Sequence, residues 1–174
     1  MNERLDKYVL EAGVLDIPRL QKDGLYPSDE RLSKGPIAVF ECAQEIPCNP
    51  CEGACKRGFV EIGEDITTIP VVREQCTGCG LCLPSCPGLS IFVLNAAYSD
   101  HEASITLPYE LLPLPEEGEP VIALDRRGRP AGEARVLQVR KLSLQDPCHS
   151  VTIALAKNLL HEVRYFARKT HEPR

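Results

Sequence analysis

Eight cysteines lie between Cys42 and Cys86, and six of them obey a single translation. Sliding the chain against itself by 31 residues lays Cys48 on Cys79, Cys51 on Cys82 and Cys55 on Cys86. The same shift lays "GFVEI" (58–62) over "LSIFV" (89–93), so each cysteine run leads into a short apolar segment suited to a strand. Between the copies, residues 59–62 and 66–72 are rich in β-branched side chains and flank Gly63-Glu64-Asp65, a pattern that predicts a hairpin. Pro70 cannot donate to an inner ladder, so the second strand is expected at an edge or broken there. A region of about fifty residues has too small a core to hold itself by apolar burial alone. The cysteines must supply the staple.

What the staple is depends on the compartment. The start, "MNERLDKYVL", is interrupted by charges and has no apolar h-region, and no apolar stretch approaches a membrane span. The chain therefore reads as cytoplasmic and soluble, where clustered cysteines hold metal more often than they form disulfides. Net charge is −5, from 20 Lys and Arg against 25 Asp and Glu, with no basic stripe for nucleic acid. The local basic stretch "LDRRGRPAG" reads as a solvated hairpin tip. Aromatic content of 5% with no Trp signals no large aromatic-lined pocket.

Residues 76–87, "CTGCGLCLPSCP", spell C-x2-C-x2-C-x3-C-P, the bacterial ferredoxin signature for cubane clusters. Cysteines three apart on a tightly curling loop can address different irons while the intervening amides turn toward sulfur. Gly78 and Gly80 permit the curl at positive φ, and Pro87 turns the chain away after the fourth cysteine. Zinc is the competing occupant, since paired C-x2-C knuckles hold it through four thiolates. This chain has two triplets instead, each accompanied by a further cysteine.

On these motifs residues 42–95 resemble a two-cluster, [4Fe-4S] bacterial-type ferredoxin domain. In that family the last cysteine of each run ligates the other cluster. The resemblance implies one cluster on Cys55, Cys76, Cys79 and Cys82, and another on Cys48, Cys51, Cys86 and a fourth ligand. The family pattern places that ligand at position 45, where this chain has Glu45, and Cys42 lies three residues upstream. The five residues "AQEIP" are long enough to loop out and return Cys42 to the iron, which makes Cys42 the first choice. The alternatives are the Glu45 carboxylate, or an open iron site favouring a three-iron cluster. Lys56 also replaces the proline that usually follows the fourth cysteine. Pro50 removes an amide donor between Cys48 and Cys51, so the two clusters are expected to differ in potential.

The flanks divide the chain further. Residues 1–41 combine a short helical pattern (Leu5, Val9, Leu10) with breakers and read as a docking arm. Residues 96–112 read as a linker. Within 113–174, "EPVIALDRRGRPAGEARVLQVRKL" predicts two strands around Arg126 to Arg129, and "HSVTIALAK" predicts a third. "IALAKNLLHEVRYFARK" sets Leu155, Leu159, Val163 and Phe166 on a helical stripe, which predicts a closing helix with a core face. The expected fold is α+β: a ferredoxin-like two-cluster domain with an N-terminal extension and a small C-terminal β-rich module closed by a helix. Cys148 beside His149 has no evident third partner and reads as a packing residue, and His101, His161 and His171 lack ligand-like spacing.

A free ferredoxin needs no such tail. The layout of "ECAQEIPCNPCEGAC", ferredoxin repeat and "EPVIALDRRGRPAG" module resembles the small iron–sulfur subunits that accompany flavin-dependent amine and imino-acid dehydrogenases of the proline or hydroxyproline type. That resemblance implies a non-catalytic electron-transfer subunit with two [4Fe-4S] clusters and a flavin-containing dehydrogenase as partner in a hetero-oligomeric complex. "GCGLCL" sits inside the cluster loop, without the strand-to-helix context of a dinucleotide fingerprint, and no acid–base pair accompanies the cysteines. The alternatives are an iron–sulfur redox sensor, although no helix-turn-helix pattern is visible, and a zinc-stapled assembly module.

Overall fold

The chain is described by a computed structural model for residues 7–10, 13–141 and 148–169. Leu5 of the N-terminal helical pattern and His171 lie outside the described residues. Two short helices open the described chain, each started by a polar side chain. Asp16 accepts from the Arg19 amide at 3.1 Å to begin α1 (Ile17–Lys22), and Ser28 accepts from the Arg31 amide at 3.2 Å to begin α2 (Asp29–Ser33). Asp29 and Glu30 add negative charge to the first turn of α2. The two helices bury Leu20 and Leu32, so this arm contributes directly to the common core.

The arm ends in β1 (Ile37–Phe40), whose four side chains are all buried. The first cysteine loop follows, containing the one-turn α3 (Pro50–Ala54), and leads into β2 (Val60–Glu61). After β3 (Val71–Val72) comes the second cysteine loop and then β4 (Ile91–Asn95). β2 pairs only with β3, while β1 pairs antiparallel with β4, Phe40 opposite Ile91. The expected hairpin from 59–62 and 66–72 is thus reduced to two residues per strand. Pro70 stands immediately before the second strand, as its missing donor requires.

From β4 the ladder continues without interruption into the C-terminal half. β5 (Glu102–Tyr109), β6 (Pro120–Asp125), β7 (Pro130–Lys141), β8 (His149–Ala156) and β9 (Val163–Arg168) complete a seven-stranded sheet in the order β1-β4-β5-β8-β7-β6-β9, every pair antiparallel. The fold is therefore mixed α+β with few helices. Residues 102–109, within the expected linker, form an inner strand, because Ala103, Ile105 and Leu107 alternate into the core.

The expected closing helix is also corrected. Leu155 belongs to β8, Leu159 to a 3-10 turn, and Val163 and Phe166 to β9. Their helical spacing is real, yet the segment folds back at Lys157–Leu159, and β-branched and aromatic Val163, Tyr165 and Phe166 fit a pleated surface. The apolar face was legible while the period was not. Phe166 stacks on Tyr109 with ring centroids 5.3 Å apart, and Tyr165 stacks on Tyr109 at 6.0 Å.

β1 and β9 are the two outer strands of the sheet, yet Arg164 of β9 donates from Nε to Oε1 of Glu41, the residue after β1, at 2.7 Å. The sheet curls far enough to bring its edges together beside the first cysteine loop. Among the described residues no helix is long and apolar enough to cross a membrane.

Candidate metal centre

The two strand pairings decide where each cysteine goes. β2 leaves the first loop and pairs with β3, which enters the second, so Cys55 is carried toward the second loop. β4 leaves the second loop and pairs with β1, which enters the first, so Cys86 is carried back. Cys42, Cys48, Cys51 and Cys86 line a cavity of about 690 Å³, and Cys55, Cys76, Cys79 and Cys82 line one of about 170 Å³. No disulfide joins any of the nine cysteines. Among the described residues no three His, Cys, Asp or Glu side chains converge on the position of a single metal ion. The thiols are arranged around volumes.

The 31-residue repeat reappears in backbone detail. The Phe59 amide donates to Cys55 Sγ at 3.3 Å, and the Ser90 amide donates to Cys86 Sγ at 3.4 Å. Gly58 N donates to the Cys55 carbonyl and Leu89 N to that of Cys86, closing the same turn twice. That turn needs positive φ, 64° at Gly58 and 51° at Leu89, the latter the sole non-glycine residue in this region of φ among the described residues. The bonds spanning each ladder's mouth also correspond, with Arg73 N to the Phe59 carbonyl and Glu41 N to the Ser90 carbonyl, both 2.9 Å.

Burial shapes the thiols. It pushes the Cys42 thiol up to about 12, with the neighbouring Cys86 and Cys51 adding to the shift. Burial raises Cys51 to about 11, helped by Cys86, and Cys82 to about 12, helped by Cys76. Thiolates gathered this closely would repel one another and need positive charge among them. Cys79 is the one exposed cysteine. Glu45 lines the larger cavity too, and its Oε1 is buried without a hydrogen-bond partner.

Buried arginines, absent from the expected site, hold both loops. Arg31, in α2, donates to the carbonyls of Glu74 (2.8 Å), Gly35 (3.1 Å), Pro36 (3.3 Å) and Cys76 (2.6 Å), fixing the entry to the second loop. Glu41, which also lines the larger cavity, accepts from Arg126 through both carboxylate oxygens and from Arg164 Nε. Burial alone would raise the Glu41 carboxyl, but Arg164 and Arg126 hold it below the usual carboxylate range. Arg164 Nη2 donates to the Tyr26 hydroxyl at 2.7 Å, and Arg126 Nε to the His161 carbonyl at 3.1 Å. Arg126 is thus largely withdrawn from solvent at one end of a hairpin tip expected to be solvated, while Arg127 and Arg129 do face solvent. A single signal pointed to these residues in advance, an arginine inside the otherwise apolar "VRYFA" of β9.

The remaining candidates lie elsewhere. Cys148 is buried and donates to the His149 carbonyl at 3.5 Å. His101 is exposed, and His161 Nε2 contacts Asp29 at 3.1 Å. Comparison of the chain with protein-family models, with curated proteins and with solved structures gives no match.

Proposed function

We propose that this chain is an electron-transfer subunit that binds two [4Fe-4S] clusters and relays electrons from a partner flavoprotein dehydrogenase, one oxidising an amine or imino acid, to an acceptor. The observation that carries the reading is the partition of eight cysteines into two sets of four, each lining its own cavity and each drawing three thiols from one loop and one from the other. Cys42, Cys48, Cys51 and Cys86 would hold one cluster, and Cys55, Cys76, Cys79 and Cys82 the other. When bound, each cluster would accept and return a single electron. The Phe59 and Ser90 amides would stabilise thiolate charge on Cys55 and Cys86, the two crossing ligands. Cys79 reaches the surface and gives a partner its nearest approach to the smaller site. The partner is inferred from the C-terminal strands, which a lone cluster carrier would not require.

Purification of the native assembly without air, with identification of companion chains and assay of iron, acid-labile sulfide and zinc, tests this. The reading expects about eight irons and eight sulfides per chain together with a flavoprotein. Zinc alone, or no reducible centre, removes it. A Cys42→Ser variant is expected to lose one cluster's electron paramagnetic resonance signal and keep the other. Retention of both would take Cys42 out of the ligand set, leaving the Glu45 carboxylate or an open iron site in its place.

A further inference from the structure

We propose that the Arg126–Glu41–Arg164 clamp, resting on the two-cluster reading above, sets the reduction potential of the centre held in the larger cavity by keeping one uncompensated positive charge buried beside it. Two guanidiniums share one carboxylate: both Arg126 oxygen contacts and the Arg164 Nε contact end on Glu41. The three side chains are only 10%, 6% and 6% exposed for Arg126, Glu41 and Arg164. The remaining polar contacts of the arginines are to neutral groups, the Tyr26 hydroxyl and the carbonyls of Leu160, Val163 and His161. The cluster of groups therefore carries a net charge of about +1, shielded from salt by its burial.

Its placement gives that charge a target. Glu41 is the clamp member that lines the larger cavity and is bonded in sequence to Cys42, and the two guanidiniums sit one hydrogen bond behind it on its carboxylate. Its amide donates to the Ser90 carbonyl at 2.9 Å, and the Ser90 amide donates to Cys86 Sγ at 3.4 Å. One residue thus touches the supports of two of the four thiols. A centre that gains an electron becomes more negative, and a buried cation nearby stabilises that form, so the clamp raises its potential. Arg126 comes from the tip after β6 and Arg164 from β9, so the C-terminal strands act on a site formed by residues far earlier in the chain. The other carboxylate lining this cavity, Glu45, has no described bond to the clamp.

The test is a redox titration of the cluster-loaded protein followed by electron paramagnetic resonance, in wild type and three variants. Glu41→Gln removes the negative member and is expected to shift one midpoint upward. Arg126→Gln removes a positive member and is expected to shift the same midpoint downward. Arg126→Lys keeps the charge but loses the two-pronged contact, and its midpoint is expected close to wild type. The second midpoint stays fixed throughout. Shifts of the same sign in both Gln variants, or no shift, overturn the assignment. So does loss of iron from both Gln variants with retention in Arg126→Lys, since that outcome makes the ion pair a structural support of the loop and not a tuner of potential. A wild-type protein without reducible clusters would instead remove the proposed function.

Discussion

A missing side chain lets the second cysteine loop pack against the strand entering the first. At Gly78, φ is 61°, and a Cβ there would lie 2.6 Å from the Pro36 Cβ and 2.8 Å from Val93 Cγ1. Gly58 has nearly the same φ, but nothing lies within 4 Å of its Cβ position. Gly78→Ala combines left-handed strain with overpacking and is expected to cost about 2–4 kcal/mol. Gly58→Ala carries the strain alone, about 1–2 kcal/mol. Denaturant unfolding of the two variants side by side checks this, and equal losses would contradict the steric account. The need for flexibility at Gly78 was readable from the motif. Its contact with Pro36 was not, because that contact depends on how the arm before β1 docks. Arg31 was hidden for the same reason: its four carbonyl partners come from two separate stretches of chain.

Among the elements, the exchanged pairing of β2 with β3 and β1 with β4 is what sends one cysteine of each loop to the opposite cavity. Cys86→Ser is therefore expected to disturb the centre built mainly on the first loop, and Cys55→Ser the centre built mainly on the second, each leaving the other signal in place. Spectra in which each variant affected the loop it belongs to would contradict the crossing. The repeat was visible because its spacing of 31 residues survives in the cysteines and in the strands behind them. The expectation failed where local pattern competes with tertiary pairing. The spacing of Leu155, Leu159, Val163 and Phe166 satisfies a helix, but the same four side chains reach the core from two strands and a turn. β5 went unread because its alternation is short and contains Pro108, although the strand pairs along its full length with β8.

For the molecule as a whole, pH tests how far the thiols belong to a buried interior. In metal-free protein, Cys42, Cys51 and Cys82 titrate above their ordinary value of 9.0, at about 12, 11 and 12. Above about pH 9 the unfolded chain releases these protons while the folded chain keeps them, so stability is full below pH 9 and falls as pH rises toward 12. Thermal unfolding of metal-free protein across pH 7–11 is expected to show that decline, and replacing Cys82 with Ala should flatten it. A rise in melting temperature over this range would contradict the burial account. The continuous ladder has a different consequence. β4 lends one edge to β1 and the other to β5, so a chain cut short after Asn95 would present bare amides and carbonyls where the next strand belongs. The cysteine-bearing half is not a detachable cassette, and a gene truncated at that point would encode a sticky fragment rather than a smaller stable fold.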